Sequence, residues 1–409
     1  MTEQRAGLPQ APVVGMVGAG QLARMTYQAS IPLGVGFRVL AAEPGDSAAQ
    51  VCPDVRLGDY TDLDDLLTFA AGCDVVTFDH EHVPGPLLAA LEEAAVVIRP
   101  GAGALRFTQD KLAMRERLTA LGVPCPRYAP AVVPADVEAF AADSGWPVVL
   151  KAVRGGYDGK GVWVCGTLEQ AAEVLAHWPV KHGAAEHGAA EHGAAVMVEE
   201  HVEFDRELAA LVARSPHNQG AAYPVVQTVQ RDGLCREVLA PAPGLSVVRA
   251  REAERLALEL AAKLEVTGLL AVELFETSGG LLVNELAMRP HNSGHWTIEG
   301  AGTSQFEQHL RAVLDLPLGD PTAVTTQMVM ANVFGGSGLA SMDPDIYARY
   351  THVMAADPAV KVHLYGKTAR PGRKIGHVTV LPNRALGDDI DALRERAGRA
   401  ARYLGEGKD

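Results

Sequence analysis

The sequence predicts a mixed α/β and α+β chain with more than one domain, on three observations. From Val13 to Phe107 short apolar strands alternate with helical stretches, the mark of a parallel, doubly wound sheet. From Pro147 to Phe204 the pattern changes to strands and hairpins, and a further α+β stretch runs to about Leu318. A length of 409 residues with 48% hydrophobic and 21% charged residues suits two to three globular units at about 150 residues each. The predicted units are residues 1–108, doubly wound; 109–318, α+β with a loop insertion at about 181–195; and 319–409, a small C-terminal unit.

Each element follows from its own residues. Val13–Val17 is an apolar run that reads as a buried strand, followed by a glycine loop and a helix over Gln21–Ser30. Phe37–Ala42, ending in Glu43, reads as the next strand, and Asp74–Phe78 and Val96–Ile98 as two more. Asp110–Leu121 is rich in helix formers with Leu112, Met114, Leu118 and Leu121 as its apolar positions, and Gly122-Val-Pro-Cys-Pro126 stops it. The Pro/Gly segment Leu316–Pro321 opens the third unit, which closes with an Arg/Ala-rich helix from Asp389. The five-residue repeat over 181–195 carries His182, His187 and His192. On a helix, five residues advance about 500°, so these histidines cannot share a face, and an exposed loop insertion is expected.

Charge and cysteine content exclude several classes. Lys plus Arg is 36 and Asp plus Glu is 50, a net of −14, which disfavours nucleic acid and anionic membranes as partners. Cys52, Cys73, Cys125, Cys165 and Cys235 are odd in number, scattered and never spaced as C-x-x-C, so neither a disulfide framework nor a thiolate metal site is expected. The polar Met1–Pro12 segment has no apolar signal core, and no run approaches the ~18 apolar residues of a spanning helix. A cytoplasmic protein is expected.

Six segments could carry chemistry. Gly18-Ala-Gly-Gln-Leu-Ala23 follows a strand, opens a helix and precedes Glu43 by about twenty residues, the pattern of a dinucleotide loop offering free N–H donors to an anion. Lys151, then Gly155-Gly-Tyr-Asp-Gly-Lys-Gly161, form a strand and a glycine hairpin able to fold over phosphates, with Lys151 and Lys160 as cations. Val196–Phe204 runs into a carboxylate-rich linker reaching Glu207; from the residues alone it reads as an acidic solvated edge. Leu269–Glu276 and Leu281–Met288 form a hairpin, with Glu273 and Glu285 each inside an apolar strand. A three-residue loop, Ser278–Gly280, places Glu273 opposite Glu285 at about 5 Å; a two-residue loop pairs Glu273 with Asn284 and turns Glu285 to the other face. Facing carboxylates without clustered Cys or His favour Mg²⁺. Arg289-Pro-His-Asn-Ser-Gly-His-Trp296 follows as an anion-holding turn, and Lys361–Lys374 is a local basic patch.

Together, Gly20-Gln-Leu, Gly155–Gly161, Arg289–His295, Thr303–Arg311 and Arg370–Thr379 resemble the 5-(carboxyamino)imidazole ribonucleotide synthase family of the ATP-grasp superfamily, over roughly Val13 to Leu381. The resemblance implies an ATP-grasp fold with an N-terminal doubly wound pre-grasp domain and a small C-terminal domain. It implies that ATP phosphorylates bicarbonate to carboxyphosphate, whose carboxyl group is captured by 5-aminoimidazole ribonucleotide (AIR), and that the protein is a homodimer.

The site residues the resemblance implies follow by position. Arg106, Lys111, Lys151 and the loop Gly156, Tyr157, Asp158, Gly159, Lys160 and Gly161 lie toward ATP. Glu199, Glu200, His201 and Val202 hold adenine, and Glu207 holds ribose, with Gln230 and Asn284 nearby. Glu273 and Glu285 bind Mg²⁺. Arg289 holds bicarbonate and, with Tyr157, Asp158 and Lys367, is implied in catalysis. Gln21, Glu81, Asn292, Ser293, Lys367, Arg370, Arg373 and Lys374 lie on the AIR side. The chain departs from the family pattern at Gln227 and Gln230, where an acid and a histidine are usual. It also departs at Met288, in place of proline, and at Asp79, His80 and His82. Two other ideas account for less. An NAD-dependent oxidoreductase leaves the glycine hairpin and Glu273/Glu285 without a task. Another ligase of the same fold, such as the formate-dependent enzyme that formylates glycinamide ribonucleotide, is separated by swapping the acyl donor, formate for bicarbonate.

Overall fold

A computed structural model describes residues 11–156, 160–181, 195–336, 344–383 and 388–407. Tyr157, Asp158, Gly159 and nearly all of the histidine repeat lie outside them.

The first sheet is built from β1 (Val13–Val17), β2 (Gly36–Ala41), β3 (Asp54–Leu57) and β4 (Val75–Phe78), in the order β3-β2-β1-β4. All its pairings are parallel, as the alternation of strand and helix predicts. The helix after β1 spans Gln21–Leu33, three residues beyond the expected end and with Pro32 inside its last turn, and Gly34 closes it at φ 65°. Edge strand β3 has no apolar run to announce it: Asp54 and Arg56 alternate with Val55 and Leu57. Val96–Ile98 is not a full strand; Ile98 makes one parallel bridge to Val76.

The second sheet contains β5 (Tyr128–Ala131), β6 (Val148–Ala152), β7 (Val162–Cys165) and β8 (Val196–Glu200), ordered β5-β8-β6-β7 and antiparallel throughout. Helices Pro134–Ser144 and Leu168–Lys181 accompany it. The strand expected over Val196–Phe204 ends at Glu200.

The third sheet has nine strands. It contains β9 (Arg206–Arg214), β10 (Gly220–Ala222), β11 (Val226–Arg231), β12 (Leu234–Ala240), β13 (Gly268–Thr277), β14 (Gly280–Ala287), β15 (Met328–Phe334), β16 (Lys361–Leu364) and β17 (Lys374–Val380). Their order is β14-β13-β9-β11-β12-β15-β17-β16, with β10 beside β9. The C-terminal strands therefore extend the central sheet through the β12–β15 pairing. On one face, helix Val247–Lys263 contributes Ala253, Ala257 and Leu260 to a core shared with β9, β13 and β14. At the other end, helix Ile390–Glu406, capped by Asp389, packs Leu393, Ala397 and Leu404 against β15 and β17.

Candidate active site

Glu273 on β13 faces Glu285 on β14, but the hairpin reaches that register by a different route from the expected one. Thr277 pairs with Gly280, so the loop is the two-residue Ser278-Gly279. Continued without a break, this pairing would set Glu273 against Asn284. Instead Leu274 pairs with Val283 and Glu273 with Glu285, so Asn284 is the extra residue of a β-bulge. The bulge keeps both glutamates on one face and leaves Asn284 to serve another partner.

That partner is Lys151. Its ammonium donates to Asn284 Oδ1 at 2.9 Å and pairs with Glu199 at 2.6 Å. Lys111 pairs with Glu285 at 2.5 Å. Buried Arg115 donates to Glu199 at 2.6 Å and to the bulge carbonyls of Val283 and Asn284 at 3.2 and 2.7 Å. Arg115 was not among the predicted site residues. The signal was available: it interrupts the i, i+3 row Leu112–Arg115–Leu118 on the buried side of helix Lys111–Ala120. A cation there requires a buried carboxylate.

Glu199 is that carboxylate, at 2% exposure, so the solvated-edge reading of β8 is wrong for it. Glu199 lies on β8 between β5 and β6 with its side chain on Lys151 and Arg115; burial works against its charge, but these two cations hold it below the usual carboxylate range. Burial also lowers the Lys151 pKa, with Glu199 opposing it. Glu200 points the other way and binds the Arg127 backbone and guanidinium at 2.9 and 2.7 Å. His201 and Val202 follow at the crossing to β9. Glu207, the second residue of β9, is pushed up by burial and hydrogen-bonds Gln230.

Electrostatically, the facing pair is asymmetric. Burial and the Glu285 charge push Glu273 up to about 7. Lys111 holds Glu285 down, to about 2, although burial works against it. His291 Nε2 stands 3.5 Å from Glu273, so this residue of the Arg289–Trp296 turn belongs with the site although it was not among the predicted site residues. The donor set offered by Glu273, Glu285 and Asn284 is all oxygen, which suits a hard cation.

A second group assembles around Arg289. Its guanidinium pairs with Glu81 at 2.7 Å; burial works against its charge, and Glu81 overrides that effect. Lys367 contacts Gln21, joining two predicted substrate-side residues from opposite ends of the chain. The Lys367 loop is moored to the first domain: Ser47 donates to the Tyr365 carbonyl at 2.5 Å and Gln50 to that of Gly366 at 2.8 Å. Lys374 is half-buried and lowers the Glu273 pKa, whereas Arg370 and Arg373 are exposed. Asn292 exchanges two hydrogen bonds with Asn332, at 2.9 and 2.8 Å, and buried Ser293 meets His291 Nδ1 at 2.8 Å. Arg106 is exposed on helix Ala102–Gln109 and lies over Phe107.

The two glycine loops part company. The Gly20 N–H donates to Asp79 at 2.5 Å, and a Cβ on Gly20 would lie 2.6 Å from that carboxylate. The helix N-terminus read as an anion site thus carries the chain's own anion. In the hairpin between β6 and β7, a Cβ on Gly156 would meet the Lys160 carbonyl at 2.8 Å, and Gly161 sits at φ 79° against Ala152. Those glycines permit the tight return; Tyr157, Asp158 and Gly159 lie outside the described residues.

Family models match the chain in three places: the ribonucleotide synthetase preATP-grasp domain over residues 12–109, the ATP-grasp domain over 116–306, and the phosphoribosylaminoimidazole carboxylase C-terminal domain over 328–396. The N5-carboxyaminoimidazole ribonucleotide synthase of Mycobacterium tuberculosis is 55% identical over 399 residues, 97% of this chain and 89% of that one. The N5-carboxyaminoimidazole ribonucleotide synthetase structure from Thermus thermophilus superposes with a TM-score of 0.80 at 37% identity, covering 96% and 98% of the two chains. The Aspergillus clavatus synthase in complex with ADP and 5-aminoimidazole ribonucleotide gives 0.82 at 30% identity, covering 95% and 99%.

Proposed function

This chain belongs to the N5-carboxyaminoimidazole ribonucleotide synthase family of ATP-grasp ligases, and on that premise we propose how its own residues run the reaction. The protein is a ligase that uses ATP to carboxylate AIR in purine biosynthesis. The observation that carries the assignment of roles is the facing Glu273/Glu285 pair with Lys111, Lys151 and Asn284 converging on it.

Lys111, Lys151 and the Gly156–Gly161 segment, Tyr157, Asp158 and Gly159 included, embrace the ATP phosphates, and Arg106 approaches from its helix. The backbone of Glu200–Val202 reads adenine, because the Glu199 and Glu200 side chains are already engaged by Arg115, Lys151 and Arg127. Glu207, paired with Gln230, accepts from the ribose hydroxyls. Glu273, Glu285 and Asn284 would hold Mg²⁺, which when bound neutralises charge on the transferring phosphoryl group.

Bicarbonate attacks the γ-phosphorus as ADP leaves, giving carboxyphosphate. Arg289, kept charged by Glu81, holds the bicarbonate oxygens. The AIR amine then attacks the carboxyl carbon, the C–O bond to phosphate breaks, and the amine gives up a proton to Asp158. Lys367, Arg370, Arg373 and Lys374 hold the AIR phosphate, with Gln21 orienting Lys367. Carboxyphosphate hydrolyses readily, so a hairpin that closes over it and excludes water is part of the mechanism.

We divide the chain at 1–108, 109–318 and 319–409, and place it in the cytoplasm as a homodimer; five free cysteines support a reducing compartment. ADP release is the deciding experiment. Release that requires Mg·ATP, bicarbonate and AIR together, with AIR consumed, is expected. Release that ignores AIR but follows formate would move the chain to the formate-using ligases.

A further inference from the structure

Histidines crowd the junction between the Arg289–Trp296 turn and strand β17. The His295 and His377 rings lie 4.9 Å apart, and His363 stacks on His377 at 4.5 Å. His295, His377 and Thr379 are fully buried, and His377 and Thr379 share one face of β17. His363 pairs with Glu299 at 2.6 Å.

Hydrogen bonding sets the His295 tautomer and is consistent with the same one at His377. The Gln305 amide brackets the backbone of His291, accepting from its N–H at 2.9 Å and donating to its carbonyl at 2.8 Å. Its second amide hydrogen therefore goes to His295 Nδ1 at 2.9 Å, so the His295 proton is on Nε2. The buried Tyr365 hydroxyl meets His377 Nδ1 at 2.7 Å. With the hydroxyl assigned as the donor, the His377 proton lies on Nε2 as well. Burial keeps both rings neutral. Among the described residues, four buried atoms at this junction have no hydrogen-bond partner: His295 Nε2, His377 Nε2, Thr379 Oγ1 and Glu299 Oε2. Two are N–H donors and two can accept, which matches the bonding capacity of one water molecule.

We infer that His295 and His377 are positioning residues that share a buried water with Thr379 and Glu299, and that this link fixes the Lys367–Lys374 loop against the His291 turn. One end of the chain of contacts is Tyr365, whose backbone begins the basic loop; the other is Gln305, which grips His291 beside Glu273. The water couples the two halves without contributing a charge. The inference rests on the proposed roles of those two segments: the first holds AIR and the second lies beside bicarbonate. Their relative placement decides whether carboxyphosphate meets the AIR amine or is lost to solvent water.

Coupling is the readout. With Mg·ATP, bicarbonate and AIR, the wild-type protein is expected to release one ADP per AIR consumed. His377→Phe keeps a planar ring and removes both nitrogens; it should raise that ratio above unity and lower kcat/KM for AIR by about tenfold, a geometric effect of misplacement. Thr379→Val is isosteric and should shift the ratio in the same direction by less. His377→Gln, which retains an N–H near the Nε2 position, should fall between wild type and His377→Phe. A merely structural role would slow ADP release and AIR consumption together and leave the ratio at one, which overturns the inference. If His377→Phe does not fold, Thr379→Val decides alone. Should wild-type protein itself fail to consume AIR, the functional reading falls; coupled wild type with coupled variants overturns only the positioning pair. A crystal structure resolving one water on both Nε2 atoms supports the bridge, and apolar packing between the rings refutes it.

Discussion

Glu199 and the Glu273/Glu285 pair are both carboxylates inside apolar strands, yet the protein treats them oppositely. Glu199 is sealed at 2% exposure and answered by two cations of the chain, Arg115 and Lys151. Glu273 and Glu285 keep 26% and 45% of their side chains exposed, face each other, and receive one direct lysine between them. A buried ion pair that is complete is scaffold; one left short of positive charge is a place for something that arrives from solution. The two regions are nevertheless one construction, since Lys151 touches Glu199 and Asn284, and Arg115 touches Glu199 and the carbonyls of the bulge.

The sharpest way to break this contrast is to neutralise one acid from each region. Glu199→Gln strands two buried cations and should cost about 3–5 kcal/mol of stability, read as a fall in the denaturant midpoint. Glu273→Gln should leave the midpoint unchanged or raise it, because it removes repulsion with Glu285, while ADP release falls by on the order of 10²–10³-fold. If Glu273→Gln destabilised as much as Glu199→Gln, both would be scaffold.

Acidity sharpens the same distinction. Glu273 is raised from an ordinary 4.5 to about 7, so the folded protein binds a proton there more tightly than the unfolded chain does. Its contribution to stability is therefore present below about 4.5 and is lost as pH rises through about 7. Without divalent cations, thermal stability should decline between those values, and Glu273→Gln should flatten that decline. Mg²⁺ must displace the proton, so its stabilising effect should be larger at pH 8 than at pH 6. A metal-free melting temperature that does not vary across this window would rule out the coupled pair.

The outline of the Glu273/Glu285 region was legible in the sequence, but its mechanics and the Glu199 cluster were not. Two glutamates inside apolar strands announced a site because apolar alternation makes a carboxylate conspicuous. The bulge at Asn284 was hidden, since the loop length fixed by Ser278-Gly279 and the extra residue five positions later cancel, and a three-residue loop imitates the result near Glu273. Arg115 was visible only as a break in a helical row, and Glu199 looked solvated because its partners lie 84 and 48 residues away in sequence. Edge strand β3 could not be read because it has polar residues at every second position and almost no burial. Long-range pairing, rather than local propensity, decided each of these.

The smallest expected effect tests the two glycine loops. Both are rich in glycine beside a strand, and only one has its own anion in place. Asp79 accepts from the Gly20 N–H at the start of helix Gln21–Leu33, as a capping carboxylate does. Asp79→Asn keeps a side-chain oxygen for that N–H and loses the charge at the helix N-terminus, so stability should drop by about 0.3–1 kcal/mol. The ATP Michaelis constant should not move, because phosphate binding is assigned to the Gly156–Gly161 hairpin. A marked change in that constant would mean that the first loop takes part in holding ATP, and the division between a self-capped loop and a ligand loop would have to be redrawn.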